Sequence, residues 1–411
     1  MTFTPEMLLW IIVGIVAISF LVGQGLEYLN LKFMRTDVHA EVASFYDADK
    51  YAKSQRYHKE ATRFSFLTST FSFVLSISML LLGGFGWVDA LLRTITENPV
   101  LLALLFFGVL GVASDLITIP FQWYSTFVIE EKYGFNKTTV KTFIIDKLKG
   151  YILGAVIGGG LLAALIYLVE TIGPDFWIWF ALIACTFMLF MNMFYTSLIL
   201  PLFNKLTPLP DGELKSAIEA FAQKINFPLT NIFVIDGSKR SNKANAFFSG
   251  IGKKKKIVLY DTLINNHTTD ELVAVLAHEV GHYKKKHIVW SYGLSVVQIV
   301  FMLFVLSQMI FNKELSLALG GTQHAIHLNL LAFTILFSPI SAITGLFMNM
   351  YSRKNEFEAD AYAKENFSGT ALANALKKLS VDNLSNLYPH PLYVFFNYSH
   401  PPLLKRLERI S

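Results

Sequence analysis

The chain has 411 residues, of which 53% are hydrophobic, 14% aromatic and only 16% charged. A soluble domain carries nearer a quarter charged residues, so with a mean hydropathy of +0.46 this is the composition of a membrane protein. The net charge of +5 is small and uneven and reads as topology rather than nucleic-acid binding; the single cysteine, Cys185, excludes an intramolecular disulfide and a thiolate-rich metal site.

Seven stretches reach the roughly 20 apolar residues that a helix needs to cross a bilayer. They lie near 7–29, 65–92, 99–128, 150–171, 176–199, 288–311 and 327–350. The first lacks a basic start and a small-residue cleavage site, so it reads as a retained anchor rather than a signal peptide. Lys and Arg mark the loops unevenly. Seven fall between Lys32 and Arg63 and five between Lys132 and Lys149, whereas the loops after helices 2, 4 and 6 carry one, none and one. The positive-inside rule then puts loops 1, 3 and 5 and the C-terminal tail in the cytoplasm. The expected fold is mainly α and integral to the membrane. Helices 1–5 with their loops occupy 1–200, a globular segment 201–287, helices 6 and 7 288–350, and a helical tail 351–411.

Within the globular segment, 211–225 has helical spacing of apolar residues, 231–236 reads as a strand, and 244–249 and 256–260 read as a hairpin. Its turn is rich in Gly and Lys; the Lys253–Lys256 tract reads as solvated, with contact to anionic headgroups as the alternative. A helix over 268–284 opens with Thr268 and Glu271 at capping-box spacing. Since a membrane hairpin separates the two globular pieces, they must meet on one membrane face.

That capped helix carries His278-Glu279-Val280-Gly281-His282. Residues at i and i+4 lie one above the other on a helix, so both imidazoles can reach one zinc ion. Glu279 is turned aside and suits a general base. A catalytic zinc site needs a third protein ligand and an open position. The segment Asn355-Glu356-Phe357-Glu358-Ala359-Asp360, helix-compatible and starting where span 7 ends, can supply it. Spacing alone leaves Glu356, Glu358 and Asp360 open. Glu356 and Asp360 share a face, so one can bind metal while the other accepts the second N–H of a ligating histidine. The competing reading is an exposed acidic helix start. His287 reads as a support or helix-end residue. His39, His58, His267, His324, His327 and His390 read as surface or interfacial. Glu27 and Asp115 lie within spans, where a carboxylate fits a polar chamber wall better than lipid.

The chain resembles the type I CAAX prenyl proteases. HEVGHYKKKH at 278–287, SRKNEFEADAYA at 352–363, NYSHPPLLKRL at 397–407, PFQWYSTFVIEEKYGFNKTT at 120–139 and GSKRSNKANAFFSG at 237–250 carry the resemblance. It implies a ring of seven transmembrane helices around a water-filled chamber, capped by a small α+β zinc protease domain. It implies Glu356 as the third zinc ligand, Asp360 as the residue orienting a ligand histidine, and His400 as a donor to the developing oxyanion. Asn245 and Arg406 follow as peptide-side residues, Arg406 within the same polar network. Taken alone, these three would read as a turn residue (Asn245), a capping histidine (His400) and a snorkelling cation (Arg406).

The expected activity is zinc-dependent peptide hydrolysis, removing the last three residues of prenylated CAAX peptides. Expected partners are one Zn2+, a peptide or protein substrate and the bilayer, with no nucleic acid. The membrane is a prokaryotic inner membrane or the endoplasmic reticulum. A prokaryotic quality-control protease of membrane proteins is the alternative within the class. A transporter with structural zinc leaves Glu279 unexplained, because a closed structural site needs no base.

Overall fold

The computed structural model describes residues 3–227, 229, 231–249 and 256–410. α1 (Pro5–Phe33) starts with Pro5 at its first position, behind Thr4, whose hydroxyl accepts the Met7 N–H. α2 (Ala48–Leu81), α3 (Gly84–Arg93) and α4 (Pro99–Tyr124) follow, and α4 continues as a π-helical turn, Ser125–Glu130. α5 (Val140–Leu153) and α6 (Gly159–Ile172) are joined through a second π-turn at Gly154–Gly158; α7 (Phe176–Leu198) and the short α8 (Leu200–Phe203) come next. Among the described residues, six apolar helical runs are long enough to cross a membrane. The break at Gly173–Asp175 divides the longest, Val140–Phe203, so that α7 packs on α6. Seven crossing segments result among the described residues. Their outward apolar side chains, such as Leu21 and Val297, are about two-thirds exposed, as a lipid-facing surface requires.

The segment expected to span at 65–92 is not one helix. α2 ends at Leu81, Gly83 takes φ +66°, and the remaining apolar residues form α3. α3 lies against the turn after α13 (Lys313–Ala318): the Gly86 N–H donates to Leu319 O, and a Cβ on Gly86 would strike the Gly320 carbonyl. His327 is buried there, not interfacial, because its Nε2 faces Asp89 Oδ1 at 2.8 Å; Arg93 Nε holds Oδ2 at 3.0 Å. His267 is buried as well, between the carbonyls of Leu263 and Ala375.

The globular part contains a four-stranded sheet in the order β1–β2–β4–β3, with β1 Leu206–Pro208, β2 Ile232–Ile235, β3 Ala246–Ser249 and β4 Lys256–Tyr260. β3 and β4 form the expected antiparallel hairpin, β2 and β4 run parallel, and β3 is one of the two edge strands among the described residues, β1 being the other. The hairpin turn with Lys253–Lys255 lies outside the described residues. β1, which pairs with β2, was not expected: three residues ending in Pro208 carry too little pattern. α9 (Glu213–Lys224) and α10 (Asp261–Asn266) pack around the sheet and α11 (Thr269–Lys284). Both halves of the α11 capping box form: Glu271 N donates to Thr268 Oγ1 at 3.3 Å, and Thr268 N to Glu271 Oε2 at 2.9 Å. Every residue from Glu271 to His278 is buried, so α11 is a core helix rather than a surface one.

α12 (His287–Met309) and α14 (Ile326–Ala363) are the last two spans. α14 does not stop at the membrane; its 38 residues carry the acidic segment as a continuation of span 7. The expectation of a helix start there is corrected, and with it the exposed acidic-start reading. α15 (Gly369–Asp382), α16 (Pro391–Asn397) and α17 (Leu403–Ile410) form the tail. One core unites both globular pieces, from Leu209 to Val280 and from Ala363 to Ile410.

α11 and α14 approach closely at Gly281. A Cβ there would lie 3.0 Å from Ala359 Cα and 3.1 Å from Tyr362 Cβ. Backbone cannot yield as a side chain does, so Gly281→Val should push the helices apart and overpack the joint. The expected cost is about 1–3 kcal/mol of stability together with weakened metal binding, read by thermal unfolding and metal content.

Candidate metal centre

The joint between α11 and α14 gathers three donors. His278 Nε2 and His282 Nε2 are 3.2 Å apart. Glu356 Oε2 is 3.4 Å from His278 Nε2, and Oε1 is 3.3 Å from His282 Nε2. Metal–ligand bonds of about 2.05 Å in a tetrahedron imply donor separations of about 3.3 Å. The three residues thus have the spacing of a metal cage, and all their ligand atoms lie within 4.8 Å of one another. Two further observations fit. Glu356 Oε2 is buried with His278 Nε2 at 3.4 Å and Arg406 Nη1 at 3.6 Å but without a well-formed hydrogen bond, which leaves it able to meet a further cation. Burial pushes the His278 imidazole down, yet the carboxylates of Asp360 and Glu356 beside it overcome this and raise its pKa to about 9. The pocket holds an excess of negative charge suited to a cation.

Support extends outward from each histidine. His278 Nδ1 faces Asp360 Oδ1 at 2.9 Å. Arg406 of α17 grips that carboxylate with Nη2 at 2.6 Å and Nε at 2.8 Å. His287 Nδ1 lies 3.1 Å from His282 Nδ1, and its Nε2 faces Glu358 Oε2 at 3.1 Å. The three acidic candidates are thereby separated by geometry: Glu356 reaches both Nε2 atoms, Asp360 meets the far side of His278, and Glu358 turns to His287. Nothing in the sequence pattern paired Glu358 with His287, since the two sit on different helices.

Glu279 is half-buried and faces a cavity of about 710 Å³. Burial raises its pKa, while His278 and His282 partly oppose the shift. His400 and Asn245 line the same cavity, whose other wall comes from membrane helices through Met188, Asn192, Tyr292 and Met348. His400 is exposed, with Nε2 3.3 Å from Glu356 Oε1. Its loop is tied to α14 by Arg353 Nη1 donating to Tyr398 O and Asn349 Nδ2 donating to Phe396 O. Asn245 immediately precedes the edge strand β3; Asn383 fixes the preceding residue by accepting from Ala244 N at 3.1 Å and donating to Ala244 O. A second cavity of about 610 Å³ shares Asn245 and His400 and contains Lys243 and Arg406. Arg406 is buried on Asp360 and Glu356, within the polar network expected of it, while still lining that second cavity.

Farther off, Asp115 accepts from Lys147 Nζ at 2.6 Å and Gln122 Nε2 at 2.9 Å, while Glu27 accepts from Tyr393 Oη at 2.9 Å. Both carboxylates sit within spans and are satisfied by polar partners.

Asp360→Asn keeps the size of the side chain but weakens its hold on Arg406 and on the His278 N–H. Metal affinity should fall about 10–100-fold with the fold retained, measured by competition with a chromogenic chelator.

Residues 27–205 match the family described as CAAX prenyl protease N-terminal, five membrane helices, and residues 208–411 match peptidase family M48. A CAAX prenyl protease 1 homolog from Arabidopsis thaliana is 37% identical over 372 residues, 88% of each chain. A CAAX prenyl protease 1 homolog from Mus musculus is 33% identical over 422 residues, 92% of this chain and 89% of that protein. The crystal structure of S. mikatae Ste24p superposes with a TM-score of 0.93 at 32% identity, covering 98% of this chain and 99% of that one.

Proposed function

Since this chain belongs to the CAAX prenyl protease group of peptidase family M48, and is a multi-pass membrane metallopeptidase, we propose that it holds one zinc ion on His278, His282 and Glu356 and removes the last three residues of prenylated CAAX peptides. The observation that carries the substrate reading is the composition of the cleft. One wall is the candidate metal centre and the other is a mixed polar and apolar wall of membrane spans, in which Met188, Ile288 and Met348 offer apolar contact to a lipid carried beside the scissile bond.

Zinc held there supplies Lewis acidity, polarising a carbonyl and bringing the pKa of water towards about 7. Glu279 takes the proton of the attacking water and returns it to the leaving amine; its raised pKa narrows the gap to both partners. His400 donates to the oxyanion as the carbonyl becomes tetrahedral. The peptide adds as a strand to the edge of β3, with Asn245 as the polar contact at its start. Asp360 keeps His278 Nε2 directed inward, and Arg406 keeps Asp360 ionised and in place. His287 and Glu358 do the same for His282. The positive charge of the loops and of the tail supports a cytoplasmic position for this machinery.

The test uses purified full-length protein in detergent with a farnesylated CAAX peptide and the same peptide unfarnesylated. Loss of three C-terminal residues from the farnesylated peptide, with slow or no cleavage of the other, is expected. Equal cleavage of both would remove the lipid from the reading and favour a broader membrane-protein substrate range.

A further inference from the structure

A basic stripe runs along α2 just before the helix turns apolar. Lys53, Arg56, Lys59 and Arg63 follow one another at three, three and four residues, so they share one helix face. With Lys132 and Tyr133, from the end of the α4 segment, they line a cavity of about 510 Å³. Among the described residues, Glu60 is the lone carboxylate in that lining, and it is engaged: Lys132 Nζ donates to it at 2.6 Å and Tyr133 Oη at 2.8 Å. Among the described residues, Lys53, Arg56, Lys59 and Arg63 have no carboxylate within ion-pair distance. Four like charges around one cavity repel, and an anion seated among them would relieve that repulsion.

Height along the helix indicates which anion. Phe64, directly after Arg63, packs with tilted rings against Phe121 and Tyr124 of α4, and the apolar part of α2 continues from there to Leu81. The cavity therefore opens where the hydrocarbon region ends and headgroup phosphates lie. We propose that it binds the phosphate of an anionic lipid headgroup, contacted by Lys53, Arg56, Lys59 and Arg63, while Glu60 holds Lys132 and Tyr133 at the rim. Arginine forks match phosphate oxygens in pairs, and a phosphomonoester suits the charge count better than a diester. Free phosphate offers the same chemistry without acyl chains, so the two sources must be told apart.

The experiment follows thermal unfolding of the full-length protein in neutral detergent during titration with dioctanoyl phosphatidic acid, dioctanoyl phosphatidylcholine or inorganic phosphate. Three forms are compared. They are the wild type, the triple variant Arg56→Gln/Lys59→Gln/Arg63→Gln, and a charge-matched control, Lys137→Gln/Lys141→Gln/Lys285→Gln, whose sites lie outside the stripe. Phosphatidic acid should raise Tm saturably in the wild type and the control, with apparent affinity weakened about 100-fold in the stripe variant. Phosphatidylcholine should have no such effect, and inorganic phosphate should act only at much higher concentration. An unchanged response in the stripe variant, an equal loss in the control, or no response in the wild type would overturn the site. Inorganic phosphate matching the lipid at equal concentration would overturn the lipid as its source.

Discussion

Glu279→Gln should lower kcat by about 10²–10⁴-fold while the protein keeps its full complement of zinc. The side chain faces the cleft beside His282 and His400, and it lies outside the three-donor cage. Glutamine has the same shape but cannot accept a proton from water, so the change removes the base and little else. The corresponding barrier increase is about 3–5 kcal/mol. The discriminating quantity is metal content measured alongside turnover. Loss of zinc together with activity would make Glu279 a ligand or a support for one, and the assignment of the base would pass to another residue.

Glu356→Ala should have an effect of similar size by a different route. It removes the one carboxylate that lies within 3.4 Å of His278 Nε2 and 3.3 Å of His282 Nε2. It also leaves the buried Arg406 with Asp360 as its remaining close counter-charge. Partners one shell out typically contribute 10–100-fold to metal affinity, so loss of the ligand should cost more than about 100-fold and bring activity to background. Glu358→Ala is the natural comparison. Its carboxylate turns to His287, so zinc should be retained and activity only reduced. Zinc analysis of the two proteins side by side separates the ligand from its neighbour two residues away. Retention by Glu356→Ala and loss by Glu358→Ala would reverse the assignment.

Local rules were enough for the elements around the metal centre. The capping box at Thr268, the i,i+4 histidines of α11 and the hairpin about residue 250 are set by chemistry within a few residues, and each is found where spacing put it. The span at 65–92 failed because hydropathy does not register the backbone. Gly83 turns the chain at φ +66° and the apolar run continues in α3. The opposite error occurred at span 7, where the drop in hydropathy near residue 351 suggested an end, yet α14 continues to Ala363. That continuity matters for function, because it rigidly couples Glu356 to a membrane span. Long-range pairings were the least legible. His327 with Asp89, and His287 with Glu358, join residues 238 and 71 positions apart, and single residues of these types carry no sign of their partner. Gly281 carried a sign that spacing rules pass over. Within the motif its two central positions are treated as free, but the one facing α14 has to be small.

The most direct test of the centre itself is zinc K-edge absorption on the purified wild-type protein, with zinc stoichiometry determined on the same sample. One zinc per chain is expected, with nitrogen and oxygen neighbours at about 2.0–2.1 Å, two of them imidazoles. Absence of zinc, or a first shell with one imidazole or with sulfur, would contradict a centre built from His278, His282 and Glu356.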